Sequence, residues 1–227
     1  SFYCWAVEVG YASEHPIDGI RRPQAGPPKY DHLSVKETLR LLEAPRPQYM
    51  GRDIAYHDTP CYLRDRLVLR LLVETGMRLG ELVGLNMEDT LLEEGRILIY
   101  CPKQDIRRSS PLSGKAVALA RDYLLWRAEH AHHRENGLLV SIAGGRIKGR
   151  QVQRIVGEAG QAAGIKRRVH PHMLRHTLGA SMAAKQYNPN VIRQALGVSE
   201  RTLLVYLALS TDEAEQSHRE FVEEVFA

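Results

Sequence analysis

The hydrophobic residues of this chain recur at helical spacing along most of its length and switch to short alternating runs once, between about residues 90 and 112. Residues 1–20 carry a mixed pattern through Trp5, Val7, Val9 and Tyr11 that closes at His15-Pro16-Ile17-Asp18-Gly19, and read as the last helix of something upstream. Arg21-Arg22-Pro23-Gln24-Ala25-Gly26-Pro27-Pro28 is a linker by its Pro and Gly content. The main domain is expected to start near Asp31, dividing the chain into residues 1–30 and 31–227. Ser34-Val35-Lys36-Glu37 is a capping box that opens a helix with Leu39, Leu41 and Leu42 on its apolar side. Thr59-Pro60 opens the next, with Pro at the first helical position. There Leu63, Leu67, Val68, Leu71 and Leu72 form the buried stripe, Arg64, Arg66 and Arg70 lie off it, and Gly76 ends the helix. Arg78 to Leu85 reads as a further helix.

The change of period marks a small antiparallel sheet. Thr90-Leu91-Leu92 and Ile97-Leu98-Ile99-Tyr100 read as strands joined by Glu93-Glu94-Gly95, and Pro102-Lys103-Gln104-Asp105 turns the chain into a third strand over 107–112. Helical spacing then returns. It predicts helices over Lys115–Arg134, Gln151–Gly164 and Pro171–Lys185, the last with Leu174, Leu178 and Met182 on one face. Asn188-Pro189 caps another helix, which Gly197 ends, and Ser199 caps a short one carrying Tyr206. Thr211 to Ala227 reads as an acidic amphipathic helix with Phe221, Val222, Val225 and Phe226 as its apolar face. The pattern as a whole is α+β, mainly α.

Composition narrows the setting. No apolar run approaches the roughly 20 residues of a membrane span, and the start lacks the basic and apolar regions of a signal peptide. Cys4, Cys61 and Cys101 are scattered and odd in number, which points to a reducing cytoplasmic interior and against a disulfide framework or a zinc knuckle. Net charge is only +4, yet arginine far outnumbers lysine, as suits bidentate phosphate recognition. The cluster His130, His132 and His133 has no carboxylate or cysteine at ligand spacing and reads as a solvated helix face, so no metal is expected. The basic run Arg146, Lys148, Arg150 and Arg154, with Lys166-Arg167-Arg168, fits contacts to DNA phosphates.

Four pieces of sequence carry candidate chemistry. In order they are Gly76-Met77-Arg78-Leu79-Gly80-Glu81-Leu82, then Lys103 in the turn of the sheet, then His170-Pro171-His172-Met173-Leu174-Arg175-His176-Thr177, then Leu196-Gly197-Val198 with Tyr206 eight residues on. Their order and spacing resemble the tyrosine recombinase family, the lambda-integrase-like phage integrases and Xer-type recombinases, from about Leu33 to Leu209. The resemblance implies the catalytic-domain fold of that family. It also implies site-specific DNA cleavage and rejoining through a covalent 3′-phosphotyrosine, with double-stranded DNA as partner, a tetramer on two DNA sites and no cofactor. Residues 1–30 resemble the end of a core-binding domain, and the tail resembles one that docks into a neighbouring protomer. A nucleoid-associated location follows from the same likeness.

The chemistry explains why these residue types belong together. Attack on a phosphodiester builds negative charge on its non-bridging oxygens, and two guanidiniums, Arg78 and Arg175, stay charged to clamp them. His172 and Arg175 are three apart on one helix, so both can reach one phosphate. A phenol has a pKa of about 10, so roughly a thousandth is ionised at neutral pH; Tyr206 needs a base, for which His172 is the candidate. Lys103 would be the general acid by resemblance, and Glu81 would support Arg78. Val198 stands where the family usually has His or Trp, so a phosphate donor is missing there. His176, next to Arg175, is not assigned that role. Read without the resemblance, Tyr206 beside Leu203 and Leu207 is an amphipathic core residue, Lys103 a solvated turn lysine, and His170 a structural neighbour of the site. Two rival functions remain open: a type IB topoisomerase-like enzyme, and a DNA-binding homologue with weakened catalysis.

Overall fold

The computed structural model describes residues 2–16, 18, 31–44, 61–101 and 105–207. Its elements are α1 (Phe2–Glu8), α2 (Val35–Glu43), α3 (Tyr62–Thr75), α4 (Leu79–Gly84), β1 (Thr90–Leu91), β2 (Arg96–Cys101), β3 (Ile106–Pro111), α5 (Gly114–His130), α6 (Gly149–Ala162), α7 (Pro171–Ala184) and α8 (Pro189–Leu196). A further helical segment, α9, covers 200–207. The architecture is the mainly helical α+β arrangement expected. Thr59, Pro60, the linker, Lys103 and the tail beyond 207 lie outside the described residues.

Helix α3 is the hub, because its stripe is apolar enough to be covered on several sides. It packs against α2, α5, α6, α7 and β3. Leu67, Val68, Leu71 and Leu72 are almost wholly buried in the main core, each worth about 1.5–3 kcal/mol of transfer free energy. The sheet is ordered β1-β2-β3 and antiparallel, with Ile97 opposite Ser110 and Cys101 opposite Ile106. Alternation turns Ile97, Ile99 and Cys101 inward.

Two expectations need correction. Arg64, expected to lie off the stripe, does not. It is buried, pairs with Asp65 at 2.7 Å and donates to the Val140 carbonyl. Helix α5 stops at His130, four residues before Arg134. Its own Arg127 is the cause: the guanidinium donates to the carbonyls of Glu135, Gly137 and Leu138 and folds the following segment back along the helix.

The capping box at Ser34 forms as read, and Glu37 also takes two bonds from Arg167 at 2.9 Å, tying α2 to the segment before α7. That guanidinium first, then the Ser34 N–H, holds the Glu37 carboxyl at about 2 against an ordinary 4.5. A depressed folded pKa stabilises the protein above the unfolded value, and the gain is lost as pH falls through the folded value. The excess stability of the parent over Glu37→Gln, measured by urea unfolding, is therefore expected to be full at neutral pH and to shrink between about pH 4.5 and pH 2. A difference that stays constant across that window would count against the pairing.

Candidate active site

The site is built where two helices end. The last carbonyls of an α-helix have no intrahelical donor and carry partial negative charge. At the end of α8, three successive carbonyls each take an N–H from a different arginine. Arg108 donates to Ala195 at 2.6 Å, Arg175 donates to Leu196, and Arg78 donates to Gly197 at 2.9 Å. The end of α3 does the same: Arg175 donates to Gly76 at 2.6 Å and Arg108 to Thr75 at 3.4 Å. Gly76 and Gly197 both have positive φ, 57° and 59°, as left-handed C-caps. At Gly76 a side chain is excluded twice over, since a Cβ would also lie 2.6 Å from Leu196 Cδ2.

Glu81 is the anionic counterpart. It accepts from the Arg78 N–H at 2.9 Å and from the Arg78 guanidinium at 2.8 Å, with Arg108 at 3.3 Å. Burial pushes its carboxyl up, but the Arg78 bonds and the Arg108 charge outweigh this and hold it below the usual range. Arg175 is buried. Burial first, then the charge of Arg78, lower its pKa to about 10. That is still about three units above neutral pH, so its guanidinium remains cationic. The two arginines differ in access: the Arg78 side chain is 39% exposed and Arg175 as a residue is 3% exposed.

Helix α7 supplies the rest. Pro171 sits at its first turn and His170, not His172, caps it, with Nδ1 accepting from the Met173 N–H at 3.2 Å. That leaves the His172 ring exposed on the helix face. Burial, Arg175, His170 and Arg78 all push its pKa down, favouring the neutral ring. The histidine in hydrogen-bonding contact with Tyr206 is His176, one turn further on: its Nδ1 lies 3.0 Å from the phenolic oxygen. The two histidine rings lie near-parallel, with centroids 6.4 Å apart.

Tyr206 is 0% exposed. It belongs to a small satellite cluster with Ala183, Ile192, Leu196, Val198 and Leu203, apart from the main core. Its ring rests on Gly179, where a Cβ would come within 2.8 Å of ring carbons Cε1 and Cζ. Val198 is buried in that cluster and offers no side-chain donor; beside it, a cavity of about 320 Å³ is also lined by Ile106, Arg108, Arg193, Gln194 and Gly197.

The basic run divides. Arg146, expected among DNA contacts, spends its guanidinium on the body: it donates to the carbonyls of Val83 and Leu85 and to Asn86 Oδ1. Lys148 is exposed at the N-cap of α6. Arg150 and Arg154 line a cleft of about 710 Å³ along α6 together with Lys166, Arg167 and Arg168. Arg167 is partly committed to Asp31 and Glu37. His130 stacks on Trp126, with centroids 4.3 Å apart.

Arg78, Glu81, His172, Arg175 and Tyr206 are thus gathered around the ends of α3 and α8, while Lys103 lies outside the described residues. Two members escaped the sequence reading. Arg108 left a signal, a charged residue on the inward-alternating side of β3 next to buried Ser110. His176 left another, its four-residue spacing from His172 on one helix face.

Comparison with known proteins bears on this site. Residues 33–212 match the model of the phage integrase family. The tyrosine recombinase XerC of Vibrio parahaemolyticus serotype O3:K6 (strain RIMD 2210633) is 31% identical over 197 residues, 87% of this chain and 60% of that protein. Among solved structures, XerA recombinase shares 29% identity and a TM-score of 0.67, over 88% of this chain and 66% of the other. XerH site-specific recombinase, bound to palindromic difH substrate in a post-cleavage complex, shares 25% identity and a TM-score of 0.72, over 87% of this chain and 55% of the other. The chain therefore spans about 60% of the length of the curated relative it matches. With 180 residues inside the matched span 33–212 and the arginine-centred site within it, the chain belongs to the phage integrase family of tyrosine recombinases.

Proposed function

We propose that this protein cuts and rejoins double-stranded DNA at specific sites, with Tyr206 attacking the scissile phosphate and becoming joined to the 3′ end. The observation that carries this reading is the convergence of two fixed guanidiniums, Arg78 and Arg175, on the end of one helix whose Leu196 shares a buried cluster with Tyr206. Both arginines hold backbone carbonyls through part of their donor set, which fixes them in place before substrate arrives. Their charge then meets the charge that develops on the phosphate without reorganisation. His172, exposed beside them and biased neutral, faces the same phosphate. Lys103, two residues after Cys101 in the sequence, would protonate the leaving 5′ oxygen. The phosphotyrosine conserves the bond energy, so a DNA hydroxyl can reseal the strand.

Lys148, Arg150 and Arg154, with the cleft along α6, would hold the DNA backbone and make binding strongly salt-dependent. Arg146 contributes by shaping the loop ahead of them. Residues 1–30 would be the end of a core-binding domain and its linker, and the working unit a tetramer on two sites, in the cytoplasm on the nucleoid. A second reading, a DNA-binding homologue with weakened catalysis, is favoured by Val198, whose buried side chain cannot donate to phosphate.

One experiment tests the main reading. The intact protein is incubated with sheared DNA of its source genome, adducts are trapped in denaturant, and the attached DNA is sequenced. The recovered site is then nicked so that the leaving strand diffuses away. A covalent adduct with the parent and none with Tyr206→Phe is expected. No adduct with the parent would favour the weakened homologue, and an adduct with Tyr206→Phe would remove Tyr206 from the mechanism. Relaxation of a plasmid lacking the recovered site would point instead to a topoisomerase-like activity.

A further inference from the structure

We propose that His176, rather than His172, takes the phenolic proton of Tyr206 as the bond to phosphorus forms. The proposal rests on Tyr206 being the nucleophile and names the base for it.

The geometry supplies three arguments. His176 Nδ1 lies 3.0 Å from the Tyr206 oxygen, within the reach a general base requires. The contact is held from both sides. The Tyr206 ring packs directly on Gly179, where even a Cβ would collide with it. His176 sits mid-way along α7, anchored through its neighbour Thr177, whose hydroxyl bonds the Met173 carbonyl and receives the Leu33 N–H. Finally, the site discourages any charge on His176 until an anion enters. Burial comes first, then His172, Arg175, His170 and His32, in lowering its pKa to about 4, so the ring is a neutral acceptor at working pH. With its proton on Nε2, Nδ1 accepts the Tyr206 O–H.

A weak resting base is no obstacle, because the transfer is coupled to substrate. A phosphodiester clamped by Arg78 and Arg175 brings a negative charge that offsets the cations depressing His176. Attack on phosphorus acidifies the phenol at the same moment. The step balances as follows. The Tyr206 O–H bond breaks and its proton passes to Nδ1. The phenolic oxygen bonds to phosphorus, and the P–O5′ bond breaks. The 5′ oxygen collects a proton from the general acid, for which Lys103 is proposed. In rejoining, His176 returns its proton to the departing phenol. The nucleophile is therefore activated only when phosphate is seated.

The test compares His176→Asn with the parent on the recovered nicked duplex, once with an ordinary scissile phosphate and once with a 5′-bridging sulfur. Asparagine can keep a hydrogen bond to Tyr206 but cannot take its proton. Adduct formation by H176N is expected to slow by about 100-fold or more, with DNA affinity unchanged. A thiolate leaves without protonation, so the sulfur substrate should rescue Lys103→Ala and not H176N. Cleavage by H176N at the parent rate, or its rescue by sulfur, overturns the proposal. A further arm keeps His176 and serves if H176N does not fold: a more acidic fluorinated tyrosine is placed at 206. Concerted transfer to His176 predicts a weak response, whereas a rate climbing in proportion to phenol acidity means the proton leaves beforehand and the proposal fails. Loss of the adduct in Tyr206→Phe, measured alongside, keeps failure of this inference distinct from failure of the nucleophile assignment.

Discussion

Arg175→Ala is expected to lose covalent adduct formation and to melt roughly 5–15 °C below the parent. Both effects follow from its position. Arg175 bridges the end of α3, through the Gly76 carbonyl, and the end of α8, through the Leu196 carbonyl. Alanine strands both buried acceptors, each costing about 1–3 kcal/mol, and a protein of this size loses about 2–4 °C per kcal/mol. One term opposes this, the relief of repulsion with Arg78. Arg78 is more than a third exposed, so water screens that repulsion and the stranded carbonyls dominate. Arg175→Lys separates fold from chemistry. It retains a cation, but a single ammonium cannot replace a planar fork reaching two carbonyls and a phosphate. Cleavage by the lysine variant is expected to fall about 100- to 1,000-fold, with a smaller loss of melting temperature than alanine. Thermal unfolding and adduct formation on the same preparations check both. A lysine variant that cleaves like the parent would show that charge alone suffices and that the fork geometry is irrelevant.

The three arginines at α8 also show what a linear sequence can carry. Helix and strand periods, the glycine stops at 76 and 197, and the order of Arg78, His172, Arg175 and Tyr206 were legible, because each depends on local spacing. The partners were not, because they come from far away. Arg108 reaches Ala195 across 87 positions, and Arg78 reaches Gly197 across 119. Spacing says that a side chain faces inward; it does not say which carbonyl waits there. Arg64 was misplaced because its charge outweighed its spacing: it stands three and four residues before Leu67 and Val68 on the buried side, and the acceptor that makes its burial tolerable belongs to Val140, 76 positions on. The dipeptide Leu196-Gly197 gains a further meaning here. The glycine lets the chain turn out of α8 in the left-handed conformation, leaving its final carbonyls open to arginine. The missing donor at Val198 therefore leaves the arginine anchors intact. Under the proposed mechanism it would remove one contact to phosphate and none of the architecture.

Gly179→Ala is expected to leave the protein folded, to keep its DNA affinity, and to slow adduct formation by about 100-fold. Within α7, alanine is favoured over glycine by about 1 kcal/mol, so intrinsic propensity would stabilise the helix. The added methyl, however, would stand 2.8 Å from two carbons of the Tyr206 ring. Overpacking costs about 1–3 kcal/mol, and the site has two ways to avoid it. The backbone of α7 is pinned by Arg175 and Thr177, whereas Tyr206 lies in a small cluster apart from the main core. The Tyr206 ring, a side chain and not pinned helix backbone, is the part expected to shift. Movement breaks the 3.0 Å approach to His176, and misplacing a reacting group by about 1 Å costs about 100-fold in rate. Chemical accessibility provides a second reading of the same event. Tyr206 is wholly buried in the parent and should resist a phenol-modifying reagent; in the variant it should react. Gly114→Ala, whose added methyl meets nothing within 4 Å, is the control and should behave as the parent in both assays. If Gly179→Ala cleaves normally while Tyr206 stays protected, the seat has slack that a methyl can occupy, and Gly179 does not set the nucleophile's position. If it cleaves normally with Tyr206 exposed, the buried position and its bond to His176 are dispensable for attack.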